Sequence, residues 1–367
     1  MNVSLRRLWL RLHRWIALGL GWLLVLAGLT GATLIVAQPL DRQLHPELFV
    51  SRSAVDAPAV PLEPLRERAA AEFGAGAALI FRLPREPGDT LQISVKASRW
   101  IGTLFVDPAT GQEQGRRSET GSFAGALYKL HSTLLMQDTG KTVLAFAALA
   151  YLFMLVTGLV LWWPRQWPPS LKVELRRGLL RGLFDLHRTG GALLGLLVAV
   201  SVFTGAYMAW RPLGEVFNTV SGQVAVKPPK LPKGAVGEGK LPTVDQLLAT
   251  ARVQFPGELV NLVQLSPKLD RPVRVRFRLA DEPHPNGISS VWLDPRNGRL
   301  LGVQRWSDLD PGARSVVWIY PMHTGELGGP LHEALNVAIG LALGCFGVTG
   351  LWLWWKRRRL ASSALAR

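Results

Sequence analysis

The chain has 367 residues, 48% of them hydrophobic, with 42 Lys and Arg against 26 Asp and Glu, 14 Trp and a single Cys. One Cys excludes an intramolecular disulfide, so anything that folds outside a membrane must do so without covalent staples. The net charge of +16 raises nucleic acid as a partner, and the placement of that charge removes it again.

The apolar residues cluster in four uncharged runs, 15–37, 142–163, 189–210 and 334–355. At about 1.5 Å of rise per residue, each crosses a hydrocarbon layer of about 30 Å. Taken in chain order, residues 1–38 are a cytoplasmic N-terminus and the first transmembrane helix. Arg6, Arg7 and Arg11 precede it as in a signal peptide, but the run is long and no small-x-small cleavage site follows, so it reads as a retained anchor. Residues 39–122 form an outside domain, 123–163 the second helix with the His131 segment before it, 164–183 an inside loop, and 184–212 the third helix. A second outside domain occupies 213–318, the His323 segment and fourth helix 319–355, and an inside tail 356–367. With both termini cytoplasmic, segments 1–14, 164–188 and 356–367 hold 15 Lys or Arg and only two acids, Glu174 and Asp185. Most of the excess charge therefore obeys the positive-inside rule, and no nucleic-acid footprint remains. Cys345, inside the fourth run, reads as a small membrane-buried residue.

Each outside segment opens with a helix-period stretch, 61–73 and 243–255. Alternating segments follow, Leu91-Gln-Ile-Ser-Val and Val273-Arg-Val-Arg-Phe-Arg-Leu, which read as strands with one wet face. Each then has a hairpin, Asp107-Pro108-Ala-Thr-Gly111 and Asp294-Pro295-Arg-Asn-Gly298, where Pro presets φ and Gly takes the left-handed position. Each segment is thus expected to be a small α+β domain. Residues 221–242, with Lys227-Pro-Pro-Lys, Lys233-Gly and Glu238-Gly, read as a linker.

The pattern is written twice. Leu12-His13-Arg14 precedes Thr30-Gly31 as Leu186-His187-Arg188 precedes Thr204-Gly205, with 17 residues from His to Thr in both. His131 precedes Thr157-Gly158-Leu-Val-Leu-Trp-Trp as His323 precedes Thr349-Gly350-Leu-Trp-Leu-Trp-Trp, with 26 residues in both. Two gapless matches identify an internal duplication.

A helix–strand–hairpin domain closing on Asp-Pro-x-x-Gly, set between helices that carry Leu-His-Arg and Thr-Gly-x-x-Leu-Trp-Trp, resembles the PepSY-associated transmembrane family over nearly the whole chain. That family includes inner-membrane reductases of ferric siderophores, such as those acting on ferrioxamine or pyoverdine, in Gram-negative bacteria. The resemblance implies a membrane α-helical fold, a four-helix bundle with two periplasmic α+β domains of PepSY type.

Of the seven histidines, His45 and His284 sit in loop chemistry and read as solvated. His13 and His187 begin the first and third helices, hence the cytoplasmic interface; His131 and His323 precede the second and fourth, hence the outer face. Two imidazoles on facing helices are what a b-type haem takes as axial ligands, so the duplication supplies one bis-His haem site per membrane surface. A four-His metal clip is disfavoured by the membrane thickness between the pairs. His332, whose repeat counterpart is Gly140, ranks behind His323 as an outer ligand or as a residue that tunes the haem. Gly31 and Gly205 fall at the outer level, Gly158 and Gly350 at the inner, where a missing side chain lets a flat macrocycle approach the backbone. Ordinary small-residue packing explains these glycines as well. Arg14 and Arg188 are candidates for pairing with haem propionates, though the positive-inside rule alone also accounts for them. The Trp pairs Trp162-Trp163 and Trp354-Trp355 read as an interfacial belt.

Other enzymatic motifs are missing. Gly140-Lys141-Thr142 lacks the upstream Gly of a P-loop, Gly74-Ala-Gly76 lacks the strand–helix context of a dinucleotide site, and there is no HExxH or Gly-x-Ser-x-Gly. No flavin domain follows Trp355, so electrons are expected from an external quinol or cytosolic reductant. The expected activity is that of a haem-dependent oxidoreductase with two haem b, passing electrons across the bacterial inner membrane to reduce an Fe(III)-siderophore in the periplasm. The alternatives are a membrane-anchored binding or regulatory protein without cofactor, and a di-haem cytochrome serving another periplasmic acceptor. Membrane lipid is the expected surroundings, and nucleic acid is not a partner.

Overall fold

The computed structural model describes residues 3–164, 166–210, 212–225, 227–232 and 240–365. The stretch 233–239 of the expected linker lies outside the described residues. Contacts divide the chain into a helical unit, built from Met1–Val36, Leu127–Arg211 and Met322–Arg367, and a sheet unit, built from Ala37–Ala126 and Pro212–Pro321.

The first half runs α1 (Val3–Leu44), α2 (Pro46–Phe49), α3 (Leu62–Phe73), β1 (Ala78–Arg82), β2 (Leu91–Lys96), β3 (Ile101–Val106), β4 (Glu113–Ser118), α4 (Phe123–Thr133) and α5 (Gln137–Trp162). The second runs α6 (Leu179–Ala209), α7 (Pro212–Ser221), α8 (Val244–Arg252), β5 (Leu259–Leu265), β6 (Val273–Arg278), β7 (Ser290–Leu293), β8 (Leu300–Gln304), α9 (Pro311–Thr324) and α10 (Gly329–Leu365).

Among the described residues, α1, α5, α6 and α10 are the four helices long and apolar enough to cross a membrane. They pack through small residues, because lipid offers no hydrophobic drive between helices and close backbone approach must supply the contact energy. A methyl added to Gly28 on α1 would lie 2.7 Å from the Gly340 carbonyl on α10, so neither helix tolerates a side chain there. On α5, the Tyr151 hydroxyl donates to the Gly195 carbonyl of α6 at 3.3 Å. Leu23, Leu24, Ala147, Tyr151, Val198, Ala199, Ile339 and Leu343 form the bundle core. Cys345 is exposed on the protein surface of α10.

The turn between α4 and α5 stores strain. Leu134, Leu135 and Gln137 have φ of 51°, 60° and 53°, which non-glycine residues rarely adopt. At the corresponding place before α10 the chain uses Gly329, φ 61°. Replacing exposed Gln137 with glycine is expected to stabilise the protein by about 0.5–1 kcal/mol, read as a rise in Tm.

The sheet unit corrects the expectation of two separate α+β domains. All eight strands form one antiparallel sheet, in the order β4-β3-β2-β1-β5-β6-β7-β8. The join is β1 against β5, with Leu79 opposite Leu265 and Phe81 opposite Val263. One apolar core beneath the sheet takes Leu62, Leu65, Phe81, Ile93, Val106, Leu247, Val263, Phe277 and Val291 from both halves. The two helices over that core also cap one another. Asp245 of α8 accepts from the backbone N–H of Leu62 and Glu63 at 2.8 and 2.9 Å, while Glu63 of α3 accepts from Val244 N–H at 2.7 Å. Each acid satisfies orphan donors at its neighbour's N-terminus, where the helix dipole favours negative charge. α8 also carries its own Thr243/Gln246 capping box, whereas the start of α3 has no side-chain cap of its own and depends on Asp245 of the second half, and β1 and β5 cover each other's edges.

Both Asp-Pro-x-x-Gly hairpins form, with Gly111 and Gly298 at φ 70° and 74°. Asp107 is only 2% exposed, and its carboxylate accepts from Ser51 Oγ, Ser53 Oγ and the N–H groups of Arg52, Ser53, Ala109 and Thr110 at 2.7–3.0 Å. Burial alone would raise its pKa, but the donated hydrogen bonds win and hold the carboxyl well below the usual range.

Candidate functional site

In the helical unit the four interfacial histidines meet in pairs. The rings of His13 (α1) and His187 (α6) have centres 6.4 Å apart with planes at 88°. Those of His131 (α4) and His323 (α9) have centres 6.1 Å apart with planes at 31°. An imidazole nitrogen bound to a transition metal lies about 2.0–2.1 Å from it, and the ring centre lies about 1.1 Å further, so two rings on one metal have centres about 6.3 Å apart. Both pairs stand at that spacing.

The threonines of the Thr-Gly pairs orient the rings. His13 Nδ1 is 2.8 Å from Thr157 Oγ1, His187 Nδ1 is 3.1 Å from Thr349 Oγ1, His131 Nδ1 is 3.1 Å from Thr30 Oγ1, and His323 Nδ1 is 3.0 Å from Thr204 Oγ1. Each hydroxyl already donates its one proton to a carbonyl on its own helix: Leu26, Met154, Val200 and Cys345, at 2.6–2.9 Å. The threonine oxygen therefore accepts, and Nδ1 carries the proton. The Ala27 and Ser201 carbonyls, each 3.1 Å from the Nδ1 of His131 and His323, demand the same tautomer. All four Nε2 atoms are then left with a lone pair, the state in which imidazole binds a metal.

The glycines lie against the ring edges. A methyl on Gly31 or Gly205 would sit 2.9 Å from Cε1 of His131 or His323, and one on Gly158 or Gly350 would sit 3.5 or 3.4 Å from Cε1 of His13 or His187. Gly31 and Gly205 make room for the outer imidazoles, while a side chain at Gly158 or Gly350 would meet the inner ones at ordinary contact distance. Among the described residues no group of three or more His, Cys, Asp or Glu side chains converges to hold a metal ion. A pair of imidazoles is an axial donor set that a b-type haem takes, and these residues fit one.

His332 lies half-buried in the first turn of α10 and is not one of the paired rings. Arg14 is exposed. Arg188 is already engaged, 3.8 Å from fully buried Asp185 and donating to the Ser170 carbonyl at 3.4 Å. Asp185 is held in turn by Arg181 Nε at 2.9 Å.

In the sheet unit His45 is a half-exposed loop residue beside Glu47. His284 departs from its solvated reading: it is 6% exposed and stacks on Tyr320, with centres 4.6 Å apart and planes at 18°. Burial, then the charges of Arg276 and Arg85, hold its pKa down at about 4. The unfolded chain takes up this proton near pH 6.5 and the folded one only near pH 4, so acidification across that window favours unfolding. A loss of up to about 3 kcal/mol is expected between those limits, and His284→Gln should flatten that part of the stability–pH curve.

A protein of Pseudomonas aeruginosa, described as uncharacterized, is 26% identical over 276 residues, which cover 66% of this chain and 65% of that protein. The chain thus spans just under two thirds of the length of the relative it matches. The family model described as the PepSY-associated TM region matches residues 10–357, and the chain belongs to that family.

Proposed function

We propose that this protein is a di-haem transmembrane reductase of ferric siderophores in the bacterial inner membrane. In this reading the chain is internally duplicated, both termini are cytoplasmic and the sheet unit is periplasmic. Electrons come from a quinol or a cytosolic reductant on the His13/His187 side and leave on the His131/His323 side, where Fe(III) in a siderophore is reduced. Ferrous iron is a softer acid than ferric, so a hard-oxygen chelate loosens its hold and releases it.

The observation that carries this reading is the pair of ring spacings, 6.4 and 6.1 Å, with every Nδ1 committed to a threonine. His13 and His187 would hold one haem b, His131 and His323 the other. A haem bound by these residues would supply one-electron exchange. The threonines fix the ligand tautomer, Gly31 and Gly205 let the outer rings seat, and the apolar helices keep water from the path. Arg14, exposed beside His13, is the proposed partner of a propionate there, whereas Arg188 is held by Asp185 and the Ser170 carbonyl.

The test is stopped-flow reoxidation. Protein reduced with dithionite is mixed anaerobically with ferric chelates, and the haem spectrum is followed. Chelate-dependent return of the ferric spectrum, with ferrous iron trapped by a colour reagent in equal amount, is expected. A reduced spectrum that persists against every chelate contradicts the reductase assignment.

A further inference from the structure

One face of the eight-stranded sheet is apolar and lies under α3 and α8; the other carries an arginine cluster. Cross-strand pairing sets Arg82 opposite Leu262, Leu262 opposite Arg276, and Arg276 opposite Ser290, so these four side chains share one row over β1, β5, β6 and β7. The adjacent row is Ile80, Gln264, Arg274 and Trp292. Residues directly opposite in an antiparallel sheet point to the same side, so the guanidinium groups of Arg82, Arg274 and Arg276 gather over the centre of this face.

Among the described residues no carboxylate lies within ion-pair distance of these three arginines. Arg274 is held over the Trp292 ring, 4.9 Å from its centre, and donates from Nε to Ser290 Oγ at 2.9 Å. Arg276 donates to the Gly287 carbonyl, while its buried Nε has no partner. Glu282, whose charge acts on Arg276, spends its oxygens on Ile288 N–H and on the N–H and hydroxyl of Ser289, so it offsets part of that charge without pairing with it. Like charges drawn together in a partly buried site raise the energy of the fold unless something negative joins them. A guanidinium fork also matches the geometry of a carboxylate, catecholate or phosphate oxygen pair.

We infer that the Arg82/Arg274/Arg276 face is a binding site for a multiply charged oxyanion, and that its ligand is an anionic ferric chelate in preference to a neutral one. The identity of the ligand as a ferric chelate rests on the proposed reductase activity; the anion site itself does not. Trp292, under Arg274, and half-buried Tyr320, coupled electrostatically to Arg276, add aromatic surface beside the arginines.

The test uses the full-length protein in detergent and isothermal titration with redox-inert gallium(III) chelates. A trianionic tris-catecholate complex should bind about tenfold or more tightly than a neutral tris-hydroxamate complex, and lose affinity as salt rises. Arg276→Gln should weaken binding about tenfold or more, and Arg276→Lys should recover part of it. Arg82→Gln, at an exposed position where folding is not at risk, should weaken it several-fold. Equal affinity for the two complexes, or indifference to both Gln substitutions, overturns the inference. So does displacement of the bound complex by phosphatidylglycerol with stronger affinity for the lipid, which would assign the arginines to headgroup phosphate. Binding that follows this pattern in protein that reduces no chelate would sink the reductase reading and leave the anion site standing. Reduction that ignores chelate charge and the arginines would do the reverse.

Discussion

Replacing His131 with alanine is expected to remove one haem and keep the other. The substitution deletes one of two rings whose centres lie 6.1 Å apart and leaves Thr30 without the imidazole it orients. A haem bound by one axial bond in place of two should be lost by more than about tenfold in affinity, since even second-shell changes at metal ligands cost about 10–100-fold. The Soret absorbance per chain should fall by about half, consistent with two equivalent sites. His13 and His187 form their own pair with Thr157 and Thr349 and should still load. The variant should then accept electrons from its donor but reduce no ferric chelate. His332→Ala should retain both haems, because His131 and His323 are the rings that converge. Loss of the inner haem from His131→Ala, or full loading through His332, would contradict the assignment.

Asp107→Ala is expected to destabilise the sheet unit markedly. The carboxylate is almost fully buried and gathers two hydroxyls and four backbone N–H groups, tying the 51–53 loop to the β3–β4 turn. Truncation takes this acceptor from half-buried and exposed donors. Arg52 N–H keeps Gln114 Oε1 and Ser53 N–H keeps Ser51 Oγ, both at 3.2 Å, and water reaches the exposed groups, so only part of the cost of about 1–3 kcal/mol per buried orphan applies. A net loss of about 2 kcal/mol is expected, measured as a fall in denaturation midpoint. The folded-state pKa lies below the unfolded value near 3.8, so the wild type should keep this contribution above that pH and lose it as pH falls further. Asp107→Asn retains the shape and some acceptor capacity and should cost less. A midpoint within experimental error of wild type for the alanine variant would show that the loop and turn do not depend on this carboxylate.

The four membrane helices and the histidine pairs were legible because both rest on local signals. Hydropathy marks each apolar run, and the repeated intervals place His13 with His187 and His131 with His323. The threonine contacts were present in the same motif but not readable as contacts. Seventeen residues at about 1.5 Å each carry Thr30 to the far end of α1, away from His13 and beside His131. The partner of each ring therefore belongs to another helix, which spacing along one helix cannot reveal. The merging of the outside segments was hidden for a similar reason. β1, Ala-Leu-Ile-Phe-Arg, and β5, Leu-Val-Asn-Leu-Val-Gln-Leu, are short apolar runs without clean alternation, and their pairing joins residues about 180 positions apart. His284 sits in Pro-His-Pro-Asn-Gly, a turn by every local rule; Tyr320, which buries it, arrives 36 residues later.

The most direct measurement is the haem content of the purified protein, made in cells supplied with haem and assayed as the reduced pyridine adduct. The account predicts two b-type haems per chain, extractable without breaking a covalent bond. Chains that carry none would contradict it, leaving the paired imidazoles without the iron that their spacing and tautomers fit.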